Sequence, residues 1–182
     1  MTLGMLDSKA AEELNGAGLT GYNHNLDTSR GVYPEVIITR GFGERLRAIE
    51  NVGNAGISVC TGGMLGLGET AEDHISFLHT LSTPPEHPES VLINALAPIK
   101  GTPLRENKKV PFDNFLRAVV IARIFMPGSI VRLVAGGINL TKEEQVLAFF
   151  AGVNAVFTGE RMLTTECSGL IGGCLRSGGW LI

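Results

Sequence analysis

Two asparagines and an aspartate lie close together in the segment Asn23-His24-Asn25-Leu26-Asp27, directly after a short apolar run. An asparagine side chain offers both a donor and an acceptor, and an aspartate carboxylate accepts hydrogen bonds at both oxygens. Such a set can bind the hydroxyl, amide or urea groups of a polar ligand, with His24 as a further contact. Asparagine and aspartate also end strands for purely local hydrogen bonds. From these residues alone, a ligand site and an ordinary turn both remain open.

Cys60, Asn94 and Arg132 are further polar residues that lie within or beside apolar runs. A lone cysteine is more often a small core residue than a ligand. Arg132 is harder to explain by packing, because a buried guanidinium needs an anion or an equivalent partner; a structural salt bridge is the competing explanation. The histidines show no metal-ligand spacing, and we expect His74 and His79, five apart on a predicted helix, to face solvent.

Helices and short apolar strands alternate along the chain and position these residues. The helical pattern covers residues 6–17, 42–55, 71–81, 112–126 and 141–151. The predicted strands cover residues 19–23, 57–61, 91–96, 130–134 and 155–158. This alternation is typical of the parallel sheet of a barrel or a doubly wound fold, where the carboxyl ends of the strands build the site. Cys60 is expected near the end of the second strand.

The composition indicates one globular domain that binds a small molecule. The chain has 182 residues, of which 44% are hydrophobic, and its formal charge of −3 is spread without long runs. Neither nucleic acid nor an acidic membrane surface is an expected partner. No apolar stretch reaches the roughly 20 residues of a membrane span, and no targeting segment is recognised. Three cysteines, an odd number, favour a reducing compartment.

Several motifs, in order and spacing, make the sequence similar to the biotin synthase family of radical S-adenosylmethionine enzymes. The matching segments are YNHNLDTS at 22–29, VCTGG at 59–63, GLGE at 66–69, KGTPL at 100–104, ARI at 122–124, VRL at 131–133 and FTGE at 157–160. The resemblance covers residues 1 to about 166. We expect the glycine-rich segment 167–182 to be an unfolded tail.

The resemblance implies a partial TIM-type (β/α) barrel with about five of its eight strands. In this family a four-iron, four-sulfur cluster cleaves S-adenosylmethionine, and the resulting radical abstracts hydrogen from dethiobiotin. A two-iron, two-sulfur cluster then donates the sulfur of biotin. A reducing electron-transfer protein and a homodimer are further implied. The implied location is the mitochondrial matrix in a eukaryote and the cytoplasm otherwise.

The resemblance also implies roles for individual residues, although it assigns no catalytic residue to this chain. Cys60 and Arg132 would be two of the four ligands of the two-iron cluster. The residues that bind S-adenosylmethionine would be Asn25, Asp27, Arg45 and Asn94. The residues that bind dethiobiotin would be Asn23, Asn25 and Asn94.

The sequence departs from the family in one motif that matters for chemistry. It contains no Cys-x-x-x-Cys-x-x-Cys spacing, which in the family binds the four-iron cluster. We therefore expect this chain alone to be an inactive fragment without a stable cluster.

Two alternative functions remain. One is a phosphate-binding barrel enzyme that uses the glycines at 135–138 and 158–159. The other is a noncatalytic half-barrel that pairs with another chain through exposed apolar faces.

Overall fold

A computed structural model describes residues 1–133, 140–156, 161–162 and 165–166. Its helices are α1 (Ser8–Gly16), α2 (Tyr33–Val36), α3 (Phe42–Asn54), α4 (Ala71–Ser82), α5 (Phe112–Phe125) and α6 (Lys142–Ala151). Its strands are β1 (Gly21–Asn23), β2 (Ser58–Leu65), β3 (Ser90–Ala95), β4 (Ile130–Leu133), β5 (Ala155–Val156), β6 (Arg161–Met162) and β7 (Thr165–Glu166). The tail at 167–182 and the glycine segments at 135–138 and 158–159 lie outside the described residues.

Five strands form one parallel sheet in the order β1-β2-β3-β4-β5. Strand order therefore follows chain order, and at least one helix lies between each strand and the next. This arrangement confirms the predicted α/β alternation. Strands β6 and β7 form a separate antiparallel pair that the sequence did not predict.

The two faces of the sheet differ in character. Val91 and Ile93 of β3 and Val131 and Leu133 of β4 belong to a buried core that includes residues of α4, α5 and α6. Side chains alternate between the faces of a strand with a period of two. The residues between these apolar positions therefore point to the opposite face, away from the helices. That face carries the polar residues of the candidate site.

Strand β2 is longer than predicted, because Gly62 and Gly63 continue it instead of ending it. A Cβ added at Gly62 would collide with the backbone of Leu92 in β3. A Cβ at Gly63 would collide with the backbone of Asp27 and would lie 2.6 Å from Cζ of Phe77 in α4. The two glycines are thus required by close packing across the sheet, a reason that local sequence does not reveal.

Helices α4 and α6 each begin directly after a threonine that forms a capping box with the acidic residue three positions later. Thr70 accepts a hydrogen bond from the Asp73 N–H, and the Asp73 carboxylate accepts one from the Thr70 N–H. Thr141 and Glu144 make the same reciprocal pair at the start of α6.

Among the described residues, no helix has both the length and the apolar character needed to cross a bilayer.

Candidate functional site

A row of polar side chains crosses the face of the sheet that is turned away from the helices. Asn23, Cys60 and Ser90 are direct neighbours on β1, β2 and β3. The Asn23 side-chain amide donates to Cys60 Sγ at 3.3 Å. Arg132 on β4 donates from Nε to Ser90 Oγ at 2.7 Å. Cys60 and Arg132 therefore lie on either side of Ser90 on one face.

One sequence-based expectation about this row needs correction. Cys60 is the third residue of β2, not its end, because the strand continues to Leu65. Arg132 is half-buried, and its Nε donates to the Ser90 hydroxyl. Sequence reasoning did not identify Ser90, since serine before an apolar run gives no signal of a cross-strand partner.

The segment after β1 leaves the sheet and returns to it at Asp27. The Asp27 N–H donates to Gly62 O at 3.0 Å, and the Met64 N–H donates to Asp27 O at 2.8 Å. Asp27 has a φ of 74°, in the left-handed region. Aspartate tolerates that region better than most residues, and such conformations cluster at functional sites. The carboxylate is thereby held beside the carboxyl end of β2.

Arg45 of α3 joins the predicted residues Asn25 and Asp27. Its Nη1 lies 2.7 Å from Asp27 Oδ2 and donates to the backbone oxygen of Asn25 at 2.9 Å. Its Nε donates to the hydroxyl of Tyr33 at 2.8 Å. Tyr33 is a functional candidate that the sequence did not reveal, because the four-residue helix α2 is too short to show periodicity.

Burial dominates the electrostatics of this segment. Burial raises the pKa of the Asp27 carboxyl above its usual value, although the Arg45 charge acts in the opposite direction. Burial also lowers the pKa of His24, and the Arg45 charge lowers it further. His24 is therefore a neutral hydrogen-bonding group at neutral pH, and Arg45 supplies the positive charge.

Three buried side-chain atoms at these strand ends have no hydrogen-bond partner among the described residues. They are His24 Nε2, Asn25 Oδ1 and Asn94 Oδ1. Asn94 is the direct neighbour of Met64, which in turn bonds Asp27. Buried polar atoms are nearly always paired with protein or with ordered water. These atoms are therefore available to ordered water or to a polar ligand at this end of the sheet.

A second polar cluster lies beyond the end of β2. Glu69 is only 2% exposed, and its Oε1 lies 2.9 Å from His74 Nε2 and accepts from the Gly66 N–H. Burial raises the pKa of Glu69, but hydrogen bonds from His74 and from backbone amides, including that of Gly66, outweigh it and hold the pKa below its usual value. The cluster borders a cavity of about 390 Å³ that Lys108 also lines.

The expectation that His74 faces solvent is therefore wrong. Its side chain is 14% exposed, because the first turn of α4 lies against the loop that holds Glu69. His79, one turn further along the helix, is exposed as expected.

Two family models match the chain. The radical SAM superfamily matches residues 1–81, and the biotin and thiamin synthesis associated domain matches residues 93–171. The two matches together take in all the sequence-predicted site residues.

Curated proteins that resemble the chain include three mitochondrial biotin synthases. The protein of Emericella nidulans is 59% identical over 93% of this chain and 43% of its own length. That of Saccharomyces cerevisiae is 52% identical over 93% of this chain and 47% of its own length. That of Arabidopsis thaliana is 55% identical over 90% of this chain and 43% of its own length. The chain thus spans about half the length of these relatives.

Solved structures of similar fold include the FeFe-hydrogenase maturase HydG from Carboxydothermus hydrogenoformans. Its TM-score is 0.75 at 22% identity, over 99% of this chain and 46% of that one. Methylornithine synthase (PylB) has a TM-score of 0.74 at 21% identity, over 94% of this chain and 54% of that one. At these identities the likeness concerns the fold, and it confirms the predicted α/β class. Coverage of about half of each neighbour is what a partial barrel requires.

Proposed function

We propose, from the homology of this chain to the C-terminal portion of the biotin synthases, that it contributes to the conversion of dethiobiotin to biotin. The chemistry would be radical S-adenosylmethionine chemistry with iron–sulfur clusters, and the chain alone would be inactive. The observation that carries the proposal is that buried polar atoms of His24, Asn25 and Asn94 at the strand ends have no hydrogen-bond partner among the described residues. In a chain 52% to 59% identical to biotin synthases, these groups support the binding of a polar ligand.

Dethiobiotin would match these hydrogen-bonding groups, which have no partner in the part of the chain that the structure describes. Its ureido ring presents two N–H donors and one carbonyl acceptor. The side-chain oxygens of Asn25 and Asn94 would accept from those donors, and an asparagine N–H would donate to the carbonyl. Asn23 extends the amide set along β1, although its side chain also contacts Cys60.

S-adenosylmethionine would be held by Asn25, Asp27, Arg45 and Asn94. Asp27 Oδ2 is bound to Arg45, and the side chain remains 29% exposed, so its other oxygen can accept a ribose hydroxyl. The left-handed backbone of Asp27 holds that carboxylate at the end of β2 before any ligand binds. Because the loop already holds the Asp27 carboxylate in place, binding of S-adenosylmethionine would cost less conformational entropy.

Cys60 and Arg132 fit the positions of two ligands of a two-iron cluster, since they lie on one face on either side of Ser90. When bound, such a cluster supplies the sulfur atom that enters the product. Asn23 orients the Cys60 sulfur through its side-chain amide. In the described part of the chain no group of three or more His, Cys, Asp or Glu side chains could hold a metal ion. Two ligands support a weak site, so this chain alone would not retain the cluster.

The remaining partners follow from the family. A reducing protein would deliver electrons, and the active enzyme would be a homodimer. Relatives from three eukaryotes are mitochondrial biotin synthases, which supports the mitochondrial matrix if the source is eukaryotic. Four-iron chemistry would depend on a Cys-x-x-x-Cys-x-x-Cys motif, which these 182 residues do not contain.

Titration of the chain with dethiobiotin, followed by NMR of the asparagine side-chain amides, tests the proposal. We expect the Asn25 and Asn94 signals to shift, and Asn94→Ala to weaken binding roughly tenfold, as expected for lost hydrogen bonds to a buried ligand. Asn54→Ala, at an exposed position on α3, should leave binding unchanged. Equal binding by Asn94→Ala and the parent chain would contradict the assignment.

A noncatalytic half-barrel that pairs with another chain is the second candidate, and one observation favours it. Ile124 of α5 and Leu147 and Phe150 of α6 are 68%, 50% and 87% exposed. The helices α5 and α6 contact each other, and large apolar side chains exposed on adjacent helices can contribute to an interface. Size-exclusion chromatography distinguishes the cases, because a compact, stable monomer would argue against a required partner chain. The glycines of the phosphate-binding alternative lie outside the described residues.

A further inference from the structure

Tyr33 is buried beside the candidate ligand site although it provides no ligand-facing group of its own. Its side chain is 1% exposed, and its hydroxyl accepts from Arg45 Nε at 2.8 Å. Phe42 packs edge-on against the ring, with centroids 5.5 Å apart and an interplanar angle of 81°. The ring is therefore held by the core, and its hydroxyl is a fixed acceptor.

The guanidinium of Arg45 makes three contacts with two nitrogens. Nε contacts Tyr33, while Nη1 contacts both the Asn25 backbone oxygen and Asp27 Oδ2. A guanidinium is planar and rigid, so a fixed direction for Nε fixes the direction of Nη1. The contact to Tyr33 thereby determines where the other two contacts fall.

We propose that Tyr33 is a positioning residue that sets the Arg45 guanidinium and, through it, the Asn25–Asp27 segment for nucleoside binding. This inference rests on the proposed function, in which Asn25 and Asp27 hold S-adenosylmethionine. Tyr33 acts through Arg45 and does not touch the ligand.

The charge of Asp27 depends on this arrangement. Burial raises the pKa of Asp27 and Arg45 opposes that effect, while His24 is the other titratable group that senses Arg45. If Arg45 is released from Tyr33, Asp27 loses its closest cation and holds its proton to higher pH. A protonated carboxyl accepts a ribose hydroxyl less well than a carboxylate does.

The test compares Tyr33→Phe with the matched control Tyr22→Phe. Tyr22 is also 1% exposed, and its hydroxyl contacts Leu3 N and Gly4 O, each at 2.8 Å, in place of Arg45. Carboxyl-¹³C NMR of the chain without ligand should show a higher titration midpoint for Asp27 in Tyr33→Phe only. With 5′-deoxyadenosine as the probe, Tyr33→Phe should bind roughly fivefold to tenfold more weakly than the parent chain.

A measurement on the parent chain covers the case in which Tyr33→Phe fails to fold. The Arg45 Nε–H should exchange with solvent more slowly than that of Arg47, which is exposed on the same helix. Exchange as fast as that of Arg47 would overturn the inference, as would an Asp27 midpoint that Tyr33→Phe leaves unchanged or that Tyr22→Phe raises equally. If the parent chain does not bind 5′-deoxyadenosine but the Asp27 midpoint moves as expected, the nucleoside site is refuted while the positioning role of Tyr33 stands.

Discussion

Ser90 Oγ lies 2.7 Å from Arg132 Nε, and Ser90 is at the same time the direct strand neighbour of Cys60. One small hydroxyl thus stands between the thiol and the guanidinium on the polar face of the sheet. It places the side chains of Cys60 and Arg132, which are 72 positions apart in the sequence, on either side of Ser90. It also gives the Arg132 Nε a hydrogen-bond acceptor.

Replacement of Ser90 by alanine should lower the free energy of unfolding. The change leaves the Arg132 Nε without its acceptor in a half-buried place, which we expect to cost about 1–2 kcal/mol. Urea denaturation followed by circular dichroism measures the loss. Ser76→Ala, at an exposed position on α4, is the control and should change stability by less than about 0.5 kcal/mol. A loss no greater than that of Ser76→Ala would mean that the Ser90 contact adds nothing.

Anaerobic reconstitution with iron and sulfide should give no stoichiometric two-iron spectrum for this chain, because two ligands hold a cluster weakly. Any substoichiometric visible absorption should decrease in Cys60→Ala, which removes the thiolate. Ser58→Ala, on the same face of β2, is the matched control and should keep the absorption of the parent chain. A stoichiometric spectrum that survives Cys60→Ala would refute Cys60 as a ligand.

The buried Glu69 should make stability depend on acid pH. Its pKa is held below the usual 4.5 in the folded chain, so the unfolded chain binds a proton first as the pH falls. The stabilisation from Glu69 is therefore fully present above about pH 4.5 and is lost as the pH falls through the folded pKa. Glu69→Gln should be less stable than the parent chain by about 1–3 kcal/mol at pH 7, with a smaller difference in acid.

Urea denaturation at several pH values from about 3 to 7 measures this dependence. Glu72→Gln is the control, because Glu72 is exposed in the first turn of the same helix. The interpretation of Glu69 fails if Glu69→Gln and the parent chain lose stability in parallel across this range.

Alanine at Gly63 should destabilise the fold by about 1–3 kcal/mol through overpacking. The added methyl would collide with the Asp27 backbone and lie 2.6 Å from Phe77 Cζ. Gly128→Ala is a matched control, since a Cβ there has no neighbour within 4 Å. Thermal unfolding of the two variants gives the comparison. Equal midpoints would show that the strands can separate to admit a methyl group.

The sequence predicted the elements of the sheet well, because their signals are local. All five parallel strands and the five longer helices occur where periodicity and apolar runs indicated them. The grouping of Asn25 and Asp27 after β1 was equally local. The partner of Asn23 could not be predicted in this way. Its side-chain amide contacts Cys60, which belongs to the next strand of the sheet.

The features that the sequence did not reveal depend on partners far along the chain. Ser90 belongs to the site because it accepts a hydrogen bond from Arg132 of β4. Tyr33 belongs to it because its hydroxyl accepts one from Arg45 of α3. The predicted second strand ended at residue 61, because the backbones of Leu92 and Asp27, which leave no room for a Cβ at Gly62 and Gly63, are distant in sequence. Periodicity cannot report such contacts, because it reflects only which side of an element faces the core.

The strand order β1-β2-β3-β4-β5 repeats the order of synthesis. Each new strand finds its neighbour already made, only one helical connection behind it on the chain. The paired residues are nevertheless 23 to 40 positions apart, as in Arg132 with Ala155 and Ser90 with Ile130. We therefore expect these strands to pair more slowly than the helices between them form, because parallel pairing closes a long loop. The polar row on its far face would then be completed when β4 brings Arg132 to Ser90.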